Sequence, residues 1–129
     1  MILGIGTDIV NIKRIEEALE KFGDRFLHRI LTENEVAEYA KSPQPARLLA
    51  KRFAAKEAFS KAFGTGISAE VGWHDVEISH DARGKPLIKT SPQLTARLAA
   101  LNVSASHLSL SDETDQALAF VVIETVHES

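Results

Sequence analysis

Residues 52–66 read Arg52-Phe53-Ala54-Ala55-Lys56-Glu57-Ala58-Phe59-Ser60-Lys61-Ala62-Phe63-Gly64-Thr65-Gly66. Strong helix formers fill this stretch, no proline interrupts it, and Gly-Thr-Gly breaks it, so the pattern predicts a long helix ending near Gly64. Ser42-Pro43-Gln44-Pro45 is a breaker that sets the helix start just beyond it. At about 100° per residue, Glu57 and Lys61 share one face, among Ala50, Ala54 and Gly64, while Leu48, Ala55, Phe59 and Phe63 cover another. As a bare i,i+4 ion pair, Glu57 and Lys61 would stabilise the helix by only about 0.2–0.5 kcal/mol. Their small neighbours, however, leave room for a ligand against the helix. Lys51, Arg52 and Lys56 lie about one turn earlier. With Lys61 and Lys85 they suggest a rim of cations suited to phosphates.

Outward from this helix the chain reads as one α+β domain, 1–129, with a small antiparallel sheet packed on the long central helix and shorter helices. Ile2 to Val10 is apolar and Ile-rich, which predicts a buried strand whose Gly4 and Gly6 permit close backbone approach. Asn11 is the expected N-cap of a helix reaching about Lys21, with Ile12, Ile15, Ala18 and Leu19 as its apolar stripe and Gly23 as its stop. Arg25 to Leu31 is a short amphipathic segment, and Thr32-Glu33-Asn34-Glu35 is a capping box opening a further helix. Beyond Gly66 the pattern turns to strands. Trp73 to His80 and Pro86 to Lys89 flank a turn at Asp81–Gly84. Ser91-Pro92 opens a helix over Gln93 to Leu101. Ala105 to Ser111 and Ala117 to Val126 form a hairpin about Asp112-Glu113-Thr114-Asp115.

Composition excludes several classes of function. A chain of 129 residues can bury a real core. The formal net charge of −3 argues against general nucleic-acid binding. The absence of cysteine rules out disulfides, thiol catalysis and Cys-ligated zinc. No apolar run approaches the roughly 20 residues that cross a bilayer, so no membrane association is expected. The early Asp8 and the lack of a basic leader segment argue against a signal peptide, which makes the cytoplasm the expected compartment.

Asp8 interrupts the apolar first strand. It reads either as a strand-end acid starting a turn or as a ligand for a hard cation. If that strand packs beside the long helix, Asp8 and Glu57 supply the one or two carboxylates that Mg²⁺ takes alongside phosphates and water. Gly64-Thr65-Gly66 lacks the order of a phosphate-binding loop and reads as a helix cap. Gly4-x-Gly6 lacks the third glycine of a dinucleotide fingerprint. Histidines at 28, 74, 80, 107 and 127 show no zinc spacing. His107, Ser109 and Ser111 share one face of their strand, either a half-exposed surface or a polar wall for a ligand.

Four ordered segments carry a resemblance: Gly4-Ile5-Gly6-Thr7-Asp8-Ile9, the 52–66 helix, Gly84-Lys85-Pro86 and His107-Leu108-Ser109. Together they resemble the holo-acyl-carrier-protein synthases, the small bacterial type of 4′-phosphopantetheinyl transferase. The resemblance implies transfer of 4′-phosphopantetheine from coenzyme A to a serine of apo acyl carrier protein, with adenosine 3′,5′-bisphosphate released, in support of fatty acid biosynthesis. It implies Mg²⁺ bound by Asp8 and Glu57, Lys61 as the cation near the pyrophosphate, and Glu57 or Asp8 as acceptor of the serine proton. For coenzyme A it points to Arg52, Ser60, Lys61, Gly64, Lys85, Pro86 and His107. For the acidic carrier protein it points to Arg14, and the charge pattern adds Lys13, Arg25 and Arg29. Homotrimers with sites shared between subunits are also implied. Many members carry a second histidine five residues after the first, where this chain has Asp112, a carboxylate that would repel a phosphate.

Two other functions fit the same residues. A Mg²⁺-dependent hydrolase of nucleotide pyrophosphates would use Asp8, Glu57 and the cations equally well. A non-catalytic module binding coenzyme A or a carrier protein would not need the Glu57 carboxylate.

Overall fold

A 19-residue helix, α4 (Pro45–Phe63), is the axis of the computed structural model, which describes residues 1–126; His127 lies outside them. Pro45 starts α4, and Gly64 ends it in the left-handed region at φ 105°. The Ser60 carbonyl then accepts from the N–H groups of Gly64, Thr65 and Gly66. In chain order the other elements are β1 (Ile2–Asn11), α1 (Ile12–Phe22), α2 (Asp24–Ile30), α3 (Glu33–Lys41), β2 (Val76–His80), β3 (Pro86–Thr90), α5 (Pro92–Ala100), β4 (Val103–Asp112) and β5 (Gln116–Thr125). The strands form two antiparallel sheets: β1–β5–β4, and the hairpin β2–β3. Helix α4 packs against the larger sheet on one side and meets α1, α3 and β2 elsewhere.

The position of β1 on α4 decides the rest. Ala50, Ala54, Ala58 and Ala62 recur every fourth residue and are all buried. Opposite them, a side chain at Gly4 or Gly6 would collide with the Ala62 or Ala58 carbonyl. The strand backbone therefore lies directly on the helix, which only glycine at these two positions allows. Two residues of strand advance about 6.6 Å, and four residues of helix about 6 Å. Gly4, Gly6 and then Asp8 thus step back along α4 toward the turn that carries Glu57.

Two apolar cores flank the axis. One joins Ala58, Phe59 and Ala62 to Ala119, Val121 and Ile123 of β5 and to Val76, Ile78 and Leu94. The other joins Leu49 and Ala50 to Ile12, Ile15, Leu27, Ile30 and Leu31. The remaining face of the larger sheet carries Ile5, Ile9 and Phe120, which stay 55%, 59% and 39% exposed.

Local signals were legible. Asn11 caps α1 by accepting from the Lys13 N–H at 2.9 Å, Thr32 and Glu35 form the capping box of α3, and Ser91 caps α5. Several expectations change. The first strand, read as buried, has only Gly6 buried and leaves Ile2, Ile5 and Ile9 exposed. Residues 24–30 form a full helix, α2. The strand expected from Trp73 starts only at Val76, because residues 73–75 form a 3-10 turn. The Asp75 carboxylate holds that turn by accepting from the Gly72 N–H at 2.8 Å and from the Ser91 hydroxyl at 2.6 Å. Helix α5 starts one residue earlier than expected, at Pro92, and ends at Ala100.

Candidate active site

Asp8 pairs in register with Ala119 of β5, so its side chain is directed to the inner, helix-facing side of the sheet with Gly6 and Val10. There it shares an open cavity of about 420 Å³ with Glu57, Arg14, Phe26 and Phe53. Lys61 completes the group. Its ammonium lies 3.0 Å from Asp8 Oδ1 and donates to the Thr7 carbonyl, also at 3.0 Å. The ion pair of Lys61 thus crosses from helix to strand and does not close on Glu57 along its own helix. Burial first, and then the negative charge of Asp8, hold the Glu57 carboxyl above its ordinary value, with Lys61 acting in the opposite direction. Two acids brought together and partly desolvated in this way are suited to a cation.

Phe26 also lines a neighbouring groove with Phe22, Arg25 and Arg29 of α1 and α2. Arg14 stands within the cavity and Arg25 and Arg29 along this groove, while Lys13 is exposed and lines neither. Sequence reasoning singled out the basic residues but not Phe22, Phe26 and Phe53. The i,i+4 spacing of Phe22 with Phe26, interleaved with that of Arg25 with Arg29, is the signal that would have found them.

The proposed coenzyme A residues do not gather at one point of this chain. Arg52 lines a separate cavity with Arg47, Lys51 and His80, but its side chain is only 3% exposed. It donates to Glu38 at 2.7 Å and to the Ile78 carbonyl at 2.9 Å. The Ser60 hydroxyl is buried and donates to the Glu57 carbonyl at 2.7 Å. Gly64 lies at the exposed end of α4. Lys85 is in the β2–β3 turn, where Asp81 accepts its backbone N–H, and Pro86 pairs with His80 at the start of β3. His107 pairs with Val122 and sits on the outer face of the sheet, opposite the face that carries Asp8. Its Nε2 lies 2.9 Å from Glu124 Oε1.

Lys56 corrects the expected cationic rim. Its ammonium is fully buried, 2.6 Å from the equally buried Glu35 carboxylate, and so cannot meet a phosphate. Burial lowers its pKa, with Glu35 opposing. Asp112 also differs from expectation. It is ion-paired with Arg47 at 2.8 Å and Lys51 at 2.9 Å, and Lys51 leads in holding its carboxyl below the usual range. Arg47 further donates to the Glu113 and Thr114 carbonyls, pinning the hairpin turn to the start of α4. The charge of Asp112 is thereby neutralised within the chain.

A sequence model of the 4′-phosphopantetheinyl transferase superfamily matches residues 4–121. The holo-[acyl-carrier-protein] synthase of Nitrosospira multiformis is 52% identical over 124 residues, covering 96% of this chain and 99% of that one. The enzyme of that name from an Azoarcus species is 54% identical over 125 residues, 97% and 99% of the two chains. Among solved structures, the Neisseria meningitidis holo-[acyl-carrier-protein] synthase superposes with a TM-score of 0.94 at 51% identity, over 97% of this chain and all of that one. The Bacillus anthracis synthase in complex with CoA (3′,5′-ADP) gives 0.82 at 44% identity, over 98% and 99%. Fold, sequence identity and near-complete coverage agree, and the chain belongs to the 4′-phosphopantetheinyl transferase superfamily.

Proposed function

We propose that this chain transfers 4′-phosphopantetheine from coenzyme A to a serine of apo acyl carrier protein in a Mg²⁺-dependent reaction that releases adenosine 3′,5′-bisphosphate. The observation that carries this reading is the convergence of Asp8, Glu57 and Arg14 on one cavity, with Lys61 paired to Asp8 and a basic, aromatic groove sharing the Phe26 wall. Among the described residues no group of three or more His, Cys, Asp or Glu gathers as a metal cluster. Two carboxylates suit Mg²⁺, which keeps positions for water and substrate phosphates. Asp8 and Glu57 would hold it, and once bound it supplies positive charge against the pyrophosphate. The serine oxygen bonds to the phosphorus that bears pantetheine while the bridging oxygen leaves with its electron pair on adenosine 3′,5′-bisphosphate. Glu57 accepts the serine proton directly or through water, with Asp8 as the alternative acceptor. Lys61 offers its ammonium to the leaving phosphate.

Arg52, Ser60, Gly64, Lys85, Pro86 and His107 are assigned to coenzyme A. His107 and Asp8 lie on opposite faces of one sheet, so one chain cannot easily bring both to one nucleotide. A neighbouring subunit that covers the apolar outer face would, and a homotrimer is the assembly we assign. Arg14, Arg25 and Arg29, with Lys13, are assigned to the acidic carrier protein, and Phe22 and Phe26 give them an apolar floor. Coenzyme A is an intracellular donor, which assigns the reaction to the cytoplasm and to fatty acid biosynthesis.

Intact-mass analysis of apo acyl carrier protein, incubated with the chain, coenzyme A and Mg²⁺, tests the reaction. The expected result is a carrier heavier by one phosphopantetheinyl group, with adenosine 3′,5′-bisphosphate formed in equal amount and both abolished by chelator. Free phosphopantetheine with unmodified carrier would mean hydrolysis instead.

A further inference from the structure

Lys56 has no part in the chemistry above, yet it is a fully buried cation with three hydrogen-bond acceptors. It and Glu35 are both wholly buried. Its ammonium donates to three oxygens from three elements. These are the Ile30 carbonyl at the end of α2 (2.6 Å), Glu35 Oε1 in the first turn of α3 (2.6 Å) and the Trp73 carbonyl at the head of the 3-10 turn (2.8 Å). Glu35 also accepts from the backbone N–H groups of Thr32 and Ile78, both at 3.0 Å. All three ammonium hydrogens are used, and among the described residues no buried side-chain polar atom lacks a partner.

Two of these tethers lead to walls of the cavity. Ile30 ends the helix that presents Arg25, Phe26 and Arg29 to the groove. The Trp73 ring packs on Phe53, centroids 5.0 Å apart, and Phe53 lines the cavity with Asp8 and Glu57. Adjacent helical residues are about 100° apart, so Lys56 anchored toward α2 and α3 leaves Glu57 facing β1. At a radius of about 5–6 Å, a 20° turn of α4 about its axis would move the Glu57 carboxylate by about 2 Å. A shift of that size is enough to cost a catalytic group most of its effect.

We propose that Lys56 is a positioning residue: with Glu35 it fixes the rotation of α4 and ties it to α2, so that Glu57 and the carrier-facing wall keep one relative setting. This rests on Glu57 being a Mg²⁺-binding carboxylate of the reaction proposed above.

The test compares Lys56→Met, Lys56→Gln and Glu35→Gln with the wild-type chain. Calorimetry gives Mg²⁺ affinity without substrates, steady-state assays give kcat and KM, and circular dichroism gives the folded fraction. Folded Lys56→Met loses at least tenfold in kcat and binds Mg²⁺ several-fold more weakly, with KM for coenzyme A within twofold. Lys56→Gln, whose amide keeps two donors, loses less. A pair that only supports the core would instead lower Tm, leaving kcat per folded chain and Mg²⁺ affinity at wild-type values, and that result overturns the proposal. Should Lys56→Met fail to fold, Lys56→Gln and Glu35→Gln decide on the same readouts, and wild-type values in both overturn it. A wild-type chain that transfers nothing overturns the reaction, whereas full turnover by folded Lys56 variants overturns the positioning role alone.

Discussion

Glu57 carries opposed demands. Its carboxyl is partly desolvated and faces Asp8, so its pKa in the folded chain exceeds the ordinary value of 4.5. A carboxyl with a raised folded pKa detracts from stability above that pKa, and the deficit disappears as pH falls toward the ordinary value. Glu57→Gln should therefore melt slightly higher than the wild-type chain at neutral pH without Mg²⁺. The gap should close as acid protonates the wild-type carboxyl, and Mg²⁺ should no longer raise the Tm of the variant. Melting curves across pH, with and without Mg²⁺, check this; a variant less stable than wild type throughout would contradict it. The same raised pKa predicts that Mg²⁺ affinity falls on acidification at a higher pH than for an ordinary glutamate, which calorimetry against pH reads directly. At this scale the sequence singled out Glu57, Lys61 and Asp8, which the fold brings together, because residue type and local spacing can be read without the fold. It misdirected Lys56, since a helical wheel gives the direction of a side chain but not what fills the space beyond it. Lys56 finds Glu35, 21 residues earlier in the chain.

The element that makes the site is the contact of β1 with α4. Gly6→Ala would drive a methyl group into the Ala58 carbonyl. Relief requires β1 to lift from the helix, at a cost of about 1–3 kcal/mol as for other overpacked interiors. Urea denaturation should show that loss. Because Asp8 moves with the strand, the folded variant should also bind Mg²⁺ more weakly than wild type. Unchanged stability and affinity would show that the close approach is dispensable. The two glycines were legible as a demand for close approach, though their partner was not. Caps at Asn11, Thr32 and Ser91 were legible because each closes within a few residues. The 3-10 turn was not, because Asp75 is held by Ser91 from beyond the β2–β3 hairpin.

For the whole molecule, the exposed Ile5, Ile9 and Phe120 form an apolar sheet face of the kind that associates. Sedimentation at micromolar concentration should give a trimer of 14.1 kDa chains. Phe120→Asp should dissociate it with each chain still folded and with transfer reduced at least tenfold, because His107 no longer meets the opposite face of a neighbour's sheet. A fully active monomer would refute shared sites. No helix among the described residues is long and apolar enough to cross a membrane. The trimer is expected from the resemblance alone, since an apolar strand face reads the same whether a core or a second chain covers it. The most direct test of the whole account is the carrier-protein mass gain produced by folded Glu57→Gln against the wild-type chain, with coenzyme A and Mg²⁺ saturating. The expected result is conversion by the wild-type chain and at least a hundredfold slower conversion by the variant. Equal rates would contradict it, because they would remove Glu57 from both metal binding and proton transfer.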